Sequence, residues 1–220
     1  LSFTKLLGTL LIDRVSDFVA VGLITLFIFT FHIDFFLSFF HQNPQLIEGF
    51  HSMFHSIWIY VFLVISCFLI WFVFKYMSNF TLVQKLKGML KNVWTGIQSF
   101  WVMKKKGKFL IQTVLIWLGY FLYFYITFYA FDFTMDLGLS VGLIAFTMSS
   151  IGVAVPVQGA IGPWHFMVIS TLVCFGVKEN DAAAFALVVH TIQTVWTGLC
   201  GLFGVMILPI LNRSSKTSNI

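Results

Sequence analysis

Charge is what this chain has least of. Of 220 residues only 10% are Asp, Glu, Lys or Arg, whereas 59% are hydrophobic and the mean hydropathy is +0.95. A soluble domain of this size does not carry such a composition. Cysteine is nearly as scarce. Cys67, Cys174 and Cys200 each lie inside an apolar run, which excludes zinc spacing and leaves them as small free-thiol hydrophobes. No phosphate-cradling glycine loop is present, and no stretch reads as a soluble catalytic domain. The net charge of +5 is not a nucleic-acid signal, because the lysines gather in one connecting segment, residues 75–108. There is neither an initiating Met nor a signal-peptide pattern, so the chain reads as the C-terminal part of a longer protein.

What is present is a series of long apolar runs. They predict an all-α, polytopic membrane helix bundle, residues 1–212, followed by a disordered basic tail, residues 213–220. Spans are expected at about 6–31, 57–74, 109–131 and 183–208, the last ended by Pro209. Aromatic side chains, 28 Phe and 7 Trp among them, partly supply interfacial belts.

The stretch around which the rest is organised is residues 138–175. Its middle reads Val155-Pro156-Val157-Gln158-Gly159-Ala160-Ile161-Gly162-Pro163-Trp164-His165. Pro156 and Pro163 remove two backbone donors, and Gly159 and Gly162 permit φ values that no helix uses. A continuous helix cannot pass through it. The second limb, some 12 residues, reaches about 18 Å, short of a hydrocarbon core of about 30 Å, which favours a re-entrant hairpin over two crossings. Irregular backbone at membrane depth is tolerated where protein buries it or where it lines a polar cavity. Two readings therefore stand: a polar or headgroup site at residues 155–165, or a bare reversal between packed helices.

Polar residues elsewhere are few enough to weigh singly. Asp13, Arg14 and Asp17 interrupt the first span. Arg14 and Asp17 are i, i+3 and can pair, while the two carboxylates repel unless the arginine lies between them. Arg14 reads either as part of a packing ion pair or as a contact for a lipid phosphate. Residues 32–56 read as a loop with four histidines and no Lys or Arg. His51 and His55 have the i, i+4 spacing of metal ligands, but nothing clearly completes a site, and a pair of solvated histidines on a short surface helix explains them better. Residues 82–101 are sharply amphipathic and basic, the pattern of an interfacial helix facing anionic headgroups. In the last span His190, Thr194, Thr197, Gly198 and Gly201 share one face, with Gln193 beside it. His190 is either a hydrogen-bonded packing residue or a cavity-facing one. The positive-inside rule places the Lys-rich segment and the C-terminus in the cytoplasm, and the hairpin then opens to the outer face of a cell (inner) membrane.

Two stretches carry a family resemblance. Leu10-Leu11-Ile12-Asp13-Arg14-Val15-Ser16-Asp17-Phe18 resembles the acidic-Arg-x-x-Asp helix start of the lysylphosphatidylglycerol synthase transmembrane-region family, a flippase-like family of integral membrane proteins. The run Pro156 to His165 resembles its Pro-x-x-Gly-Gly-x-Gly-x-x-Glu hairpin. Three positions depart from that pattern: Ala160 stands at the second glycine, His165 where an acidic residue is common, and His190 near an expected arginine. The resemblance implies further N-terminal spans and translocation or binding of a phospholipid or lipid-linked substrate; it does not imply synthase activity. The expected substrate contacts are Arg14, Asp17, Pro156, Gln158, Gly159, Gly162, His165 and His190, with no catalytic residue, metal or cofactor. Expected partners are membrane lipids, with an anionic phospholipid or a lipid-linked headgroup foremost; self-association stays open and nucleic acid is excluded. The alternatives are a membrane transferase acting on a lipid carrier and a non-catalytic scaffold subunit.

Overall fold

In an apolar chain the backbone amides must find partners within the chain itself, and the helix supplies them locally. The computed structural model describes residues 3–76, 80, 83–85, 87–88, 91 and 106–216, and among these every regular element is helical. The order is α1 (Phe3–Phe31), α2 (Ile33–Gln42), α3 (Pro44–His55), α4 (Ile57–Tyr76), α5 (Lys106–Ile126), α6 (Gly138–Ala154), α7 (Pro163–Cys174) and α8 (Glu179–Lys216), with 3-10 turns at Thr127–Ala130 and Gln158–Ala160. Among the described residues, four segments are long and apolar enough to cross a membrane: Asp13–Phe31, Ile57–Tyr76, Lys106–Ala130 and Glu179–Leu208. The chain is thus an all-α, multi-pass membrane protein. Its internal contacts fall into two compact units, residues 1–121 and 122–220.

In the first unit, α1 runs unbroken past its charged triplet. Residues 32–56, expected as a loop with a short surface helix at His51 and His55, are two short helices joined through one residue. Both carry a helical repeat of apolar positions, and the joint is chemically defined. The Asn43 side chain donates to the Phe39 carbonyl at 2.8 Å, and Pro44 takes the first position of α3, where a missing N–H costs nothing. Phe35, Phe36 and Phe39 on α2 are buried, with Phe29 of α1 at 5.2 Å from the Phe36 ring. No residue of α4 is buried, as suits a rod whose solvent is lipid. Of the expected interfacial helix at 82–101, residues 83–85, 87–88 and 91 are helical; the others lie outside the described residues.

The second unit is built around phenylalanine. Phe185 on α8, fully buried, sits 5.3 Å from Phe128, 5.2 Å from Phe131 and 6.3 Å from Phe124 between ring centroids. Phe124 in turn lies 6.0 Å from Phe146 and 6.3 Å from Trp164, so one cluster joins the end of α5 to α6, α7 and α8. Gly142 makes room for the Tyr125 ring, into which any Cβ would project. The apolar, membrane-crossing part of α8 ends at Leu208, and the helical backbone runs on through Pro209 to Lys216. The proline forfeits one backbone hydrogen bond and leaves the others in place. Residues 213–216 are helical, and 217–220 lie outside the described residues.

Candidate functional site

The second unit is interrupted by eight residues, 155–162, between α6 and α7. The break follows from residue chemistry. Val155 leaves the helix in extended conformation, as the residue before a proline prefers, and Pro156 is spanned by a tight turn in which Val157 N–H donates to Val155 O at 2.7 Å. Gly159 then takes φ 67°, ψ 9°, and Gly162 takes φ 97°, ψ −72°, neither available to helix. Gly162 stands just before α7, Pro163 opens it, and Phe166 N–H donates to Gly162 O at 2.8 Å. Pro156, Gln158, Gly159 and Gly162 are exposed along this turn.

The reversal is held shut by backbone against backbone. A Cβ on Gly152 would stand 2.8 Å from Trp164 Cα, 2.9 Å from Pro163 O and 3.0 Å from Trp164 N. Sequence reasoning passed over Gly152. Its signal is a small residue two positions before the helix ends, placed where a returning limb must cross.

Ala160 adopts φ 52° and is buried. Left-handed backbone costs a residue with a Cβ about 1–2 kcal/mol. Ala160→Gly is expected to recover that strain against the added freedom of glycine in the unfolded chain, for a net gain of about 0.5–1 kcal/mol. A thermal unfolding midpoint in detergent that rises for Ala160→Gly and falls for Ala160→Val checks this.

Of the eight expected contacts, the structure brings together Gly159, His165 and His190. The His190 Nε2 lies 3.0 Å from the Gly159 carbonyl oxygen, across 31 residues of chain. A carbonyl only accepts, so Nε2 carries the proton and the tautomer is set. The hydroxyl-bearing residues of that α8 face satisfy themselves: Thr194 donates to His190 O and Thr197 to Gln193 O, each at 2.8 Å. His190 alone on this face reaches a distant backbone. Its ring lies 4.6 Å from that of His165 and 4.9 Å from that of Trp164. Trp164, buried and absent from the expected set, thereby links the phenylalanine cluster to the two imidazoles. The Nδ1 of His165 is buried with no hydrogen-bond partner among the described residues. Such a group costs about 1–3 kcal/mol until something bonds to it.

Arg14 and Asp17 meet each other on α1. The guanidinium bridges Asp17 at 3.3 Å and Asp13 at 3.1 Å, so the arginine does lie between the two carboxylates. Both acids come from the same helix, and the arginine side chain is 66% exposed. His51 and His55 stack at 4.1 Å, yet among the described residues no group of three or more His, Cys, Asp or Glu could hold a metal.

Neither a curated protein nor a solved structure gives a significant match to this chain. A family model does. The model described as Lysylphosphatidylglycerol synthase TM region matches residues 1–201, and with nine-tenths of its length so matched the chain belongs to that family of membrane proteins.

Proposed function

We propose that this protein translocates or binds a phospholipid or lipid-linked substrate, and that the break between α6 and α7 receives the polar headgroup. One observation carries the reading: a buried imidazole nitrogen, His165 Nδ1, stands without a partner among the described residues, beside His190, whose own Nε2 is committed to Gly159. In apolar surroundings an unmet polar atom of this kind marks a place for a polar ligand. The limb lengths support a re-entrant hairpin. The 17 residues of α6 and the 12 of α7 reach about 26 Å and 18 Å, less than a hydrocarbon core of about 30 Å. The lysine distribution supports a break open to the outer face. The family's name, the membrane region of a lipid-modifying synthase, supports lipid as the ligand. Arg14, exposed though paired, is the proposed contact for a lipid phosphate.

The test uses the full chain in phosphatidylcholine vesicles doped with fluorescent phosphatidylglycerol, following bleaching by an impermeant reductant. His190→Leu and Arg14→Ala are expected to slow exchange at least tenfold. His190→Gln, whose amide N–H can still donate to Gly159 O, retains most of it. Exchange no faster than in empty vesicles, or equal rates for wild type and both disabling variants, rejects the assignment.

A further inference from the structure

The segment between α1 and α4 has a geometry that neither the headgroup site nor translocation uses. Three single residues, His32, Asn43 and Ser56, are all that separate α1, α2, α3 and α4. The membrane-crossing parts of α1 and α4 end at Phe31 and begin at Ile57. Neither α2, 10 residues, nor α3, 12 residues, is long enough to cross, and neither has slack to leave the boundary where the flanking helices stop.

Each helix carries an apolar strip that no described residue covers. Taking about 100° per residue, α2 divides into three sectors. Phe35, Phe36 and Phe39 occupy one and are buried. Ile33, Leu37 and Phe40 occupy the next and are exposed, Leu37 to 64%. Asp34, Ser38 and His41 follow on the polar side and are exposed. One side thus faces protein, one is bare and apolar, and one is polar: the division a helix needs when it lies along a bundle at a lipid surface. In α3 the exposed Ile47 and Phe54, the latter at 62%, share an apolar arc. His51, His55 and Glu48 hold the polar side next to it.

We infer that α2 and α3 lie in the membrane interface as a surface-bound pair, with the Ile33/Leu37/Phe40 and Ile47/Phe54 strips seated among acyl chains and the adjoining histidines at the level of the lipid phosphates. Continuity with the two spans selects lipid as the occupant. The charges select which lipid and when. Residues 32–56 hold two carboxylates, Asp34 and Glu48, four imidazoles, and no Lys or Arg, so the formal charge is −2 with the imidazoles neutral and +2 with all four protonated. Among the described residues, the ionisable groups of these elements and of the adjoining start of α4 are those two carboxylates and Tyr60, whose hydroxyl donates to Phe54 O at 2.8 Å. The stretch of α1 beside α2, residues 25–31, contributes no ionisable side chain. Contact with an anionic surface therefore strengthens on acidification.

Spin labels test this one at a time, in the full chain, after Cys67, Cys174 and Cys200, all free thiols, are replaced by alanine. Labels at Leu37→Cys and Ile47→Cys are expected to collide more with oxygen than with a water-soluble nickel chelate; labels at Ser38→Cys and Ser52→Cys show the reverse. Lowering pH from about 7.5 to 5.5 is expected to cut nickel access at 37 and 47 at least twofold, in vesicles containing phosphatidylglycerol and not in phosphatidylcholine alone. The combined His41→Gln, His51→Gln and His55→Gln variant loses that response. Nickel access at 37 and 47 equal to that at 38 and 52 overturns the lipid seating. Exclusion of both probes overturns it too, since a protein surface or a second copy would then cover the strips. An unchanged response to acid, or one kept by the histidine variant, overturns the phosphate contact.

Discussion

Phe185→Ala is expected to destabilise the protein by about 3 kcal/mol and to weaken the break it never touches. The ring is fully buried among Phe124, Phe128 and Phe131, so truncation removes a partner from three aromatic contacts at once. Lipid tails are as apolar as a protein core, so the transfer part of the usual penalty shrinks inside a membrane. The cavity part remains, which sets the value at the low end of the range for Phe→Ala. Phe185 precedes His190 on α8 by five residues, so the same loosening reaches the bond to Gly159. Phe203, on the same helix but 62% exposed, is the control. The measurement is thermal unfolding in one detergent. Equal losses for Phe185→Ala and Phe203→Ala would show that the cluster is not the centre of the unit.

Gly152→Val is expected to be of the same size or larger, for the opposite reason. Phe185→Ala leaves a hole; here there is no hole to fill. The three atoms nearest an added Cβ all belong to the main chain of Pro163 and Trp164, and no rotamer change can move them. The two limbs must separate, at a cost of about 3 kcal/mol, and Trp164 shifts from its place between the aromatic cluster and the imidazoles. Gly152→Ala should lie between wild type and valine. If valine is accepted with an unchanged midpoint and unchanged lipid exchange, the close crossing does not exist in the membrane.

Much of this was legible before any coordinates. Length and hydropathy alone give the spans, because a helix solvated by lipid must be apolar all round, and Ile57–Tyr76 has no buried residue. Pro156, Gly159, Gly162 and Pro163 give the break, because each acts on its own backbone. The i, i+3 pairing of Arg14 with Asp17 is likewise local. What was not legible depended on distance in the chain. Gly152 has meaning only once a limb returns to it, and Trp164 looks like one more interfacial aromatic until the cluster forms. The partner of His190 is a carbonyl, which every residue has, so no side-chain pattern could name it. In residues 32–56 only the short helix around His51 and His55 shows in the pattern, because Asn43-Pro44 resembles turn chemistry, whereas here Asn43 closes one helix and Pro44 opens the next. Pro209 marks the end of the apolar part of α8 but not of its backbone helix, since a proline forfeits one hydrogen bond and leaves the others in place.

The bond from His190 to Gly159 also has a mechanical side. It fastens a 38-residue rod about 16 Å from one tip and about 39 Å from the other. The shorter arm is immobilised by Ala182, Phe185, Ala186 and Val189, all buried, whereas residues 191–208 of the longer arm include no buried residue. Sideways freedom of this rod therefore begins where the bond ends, and the mouth of the turn sits at that boundary.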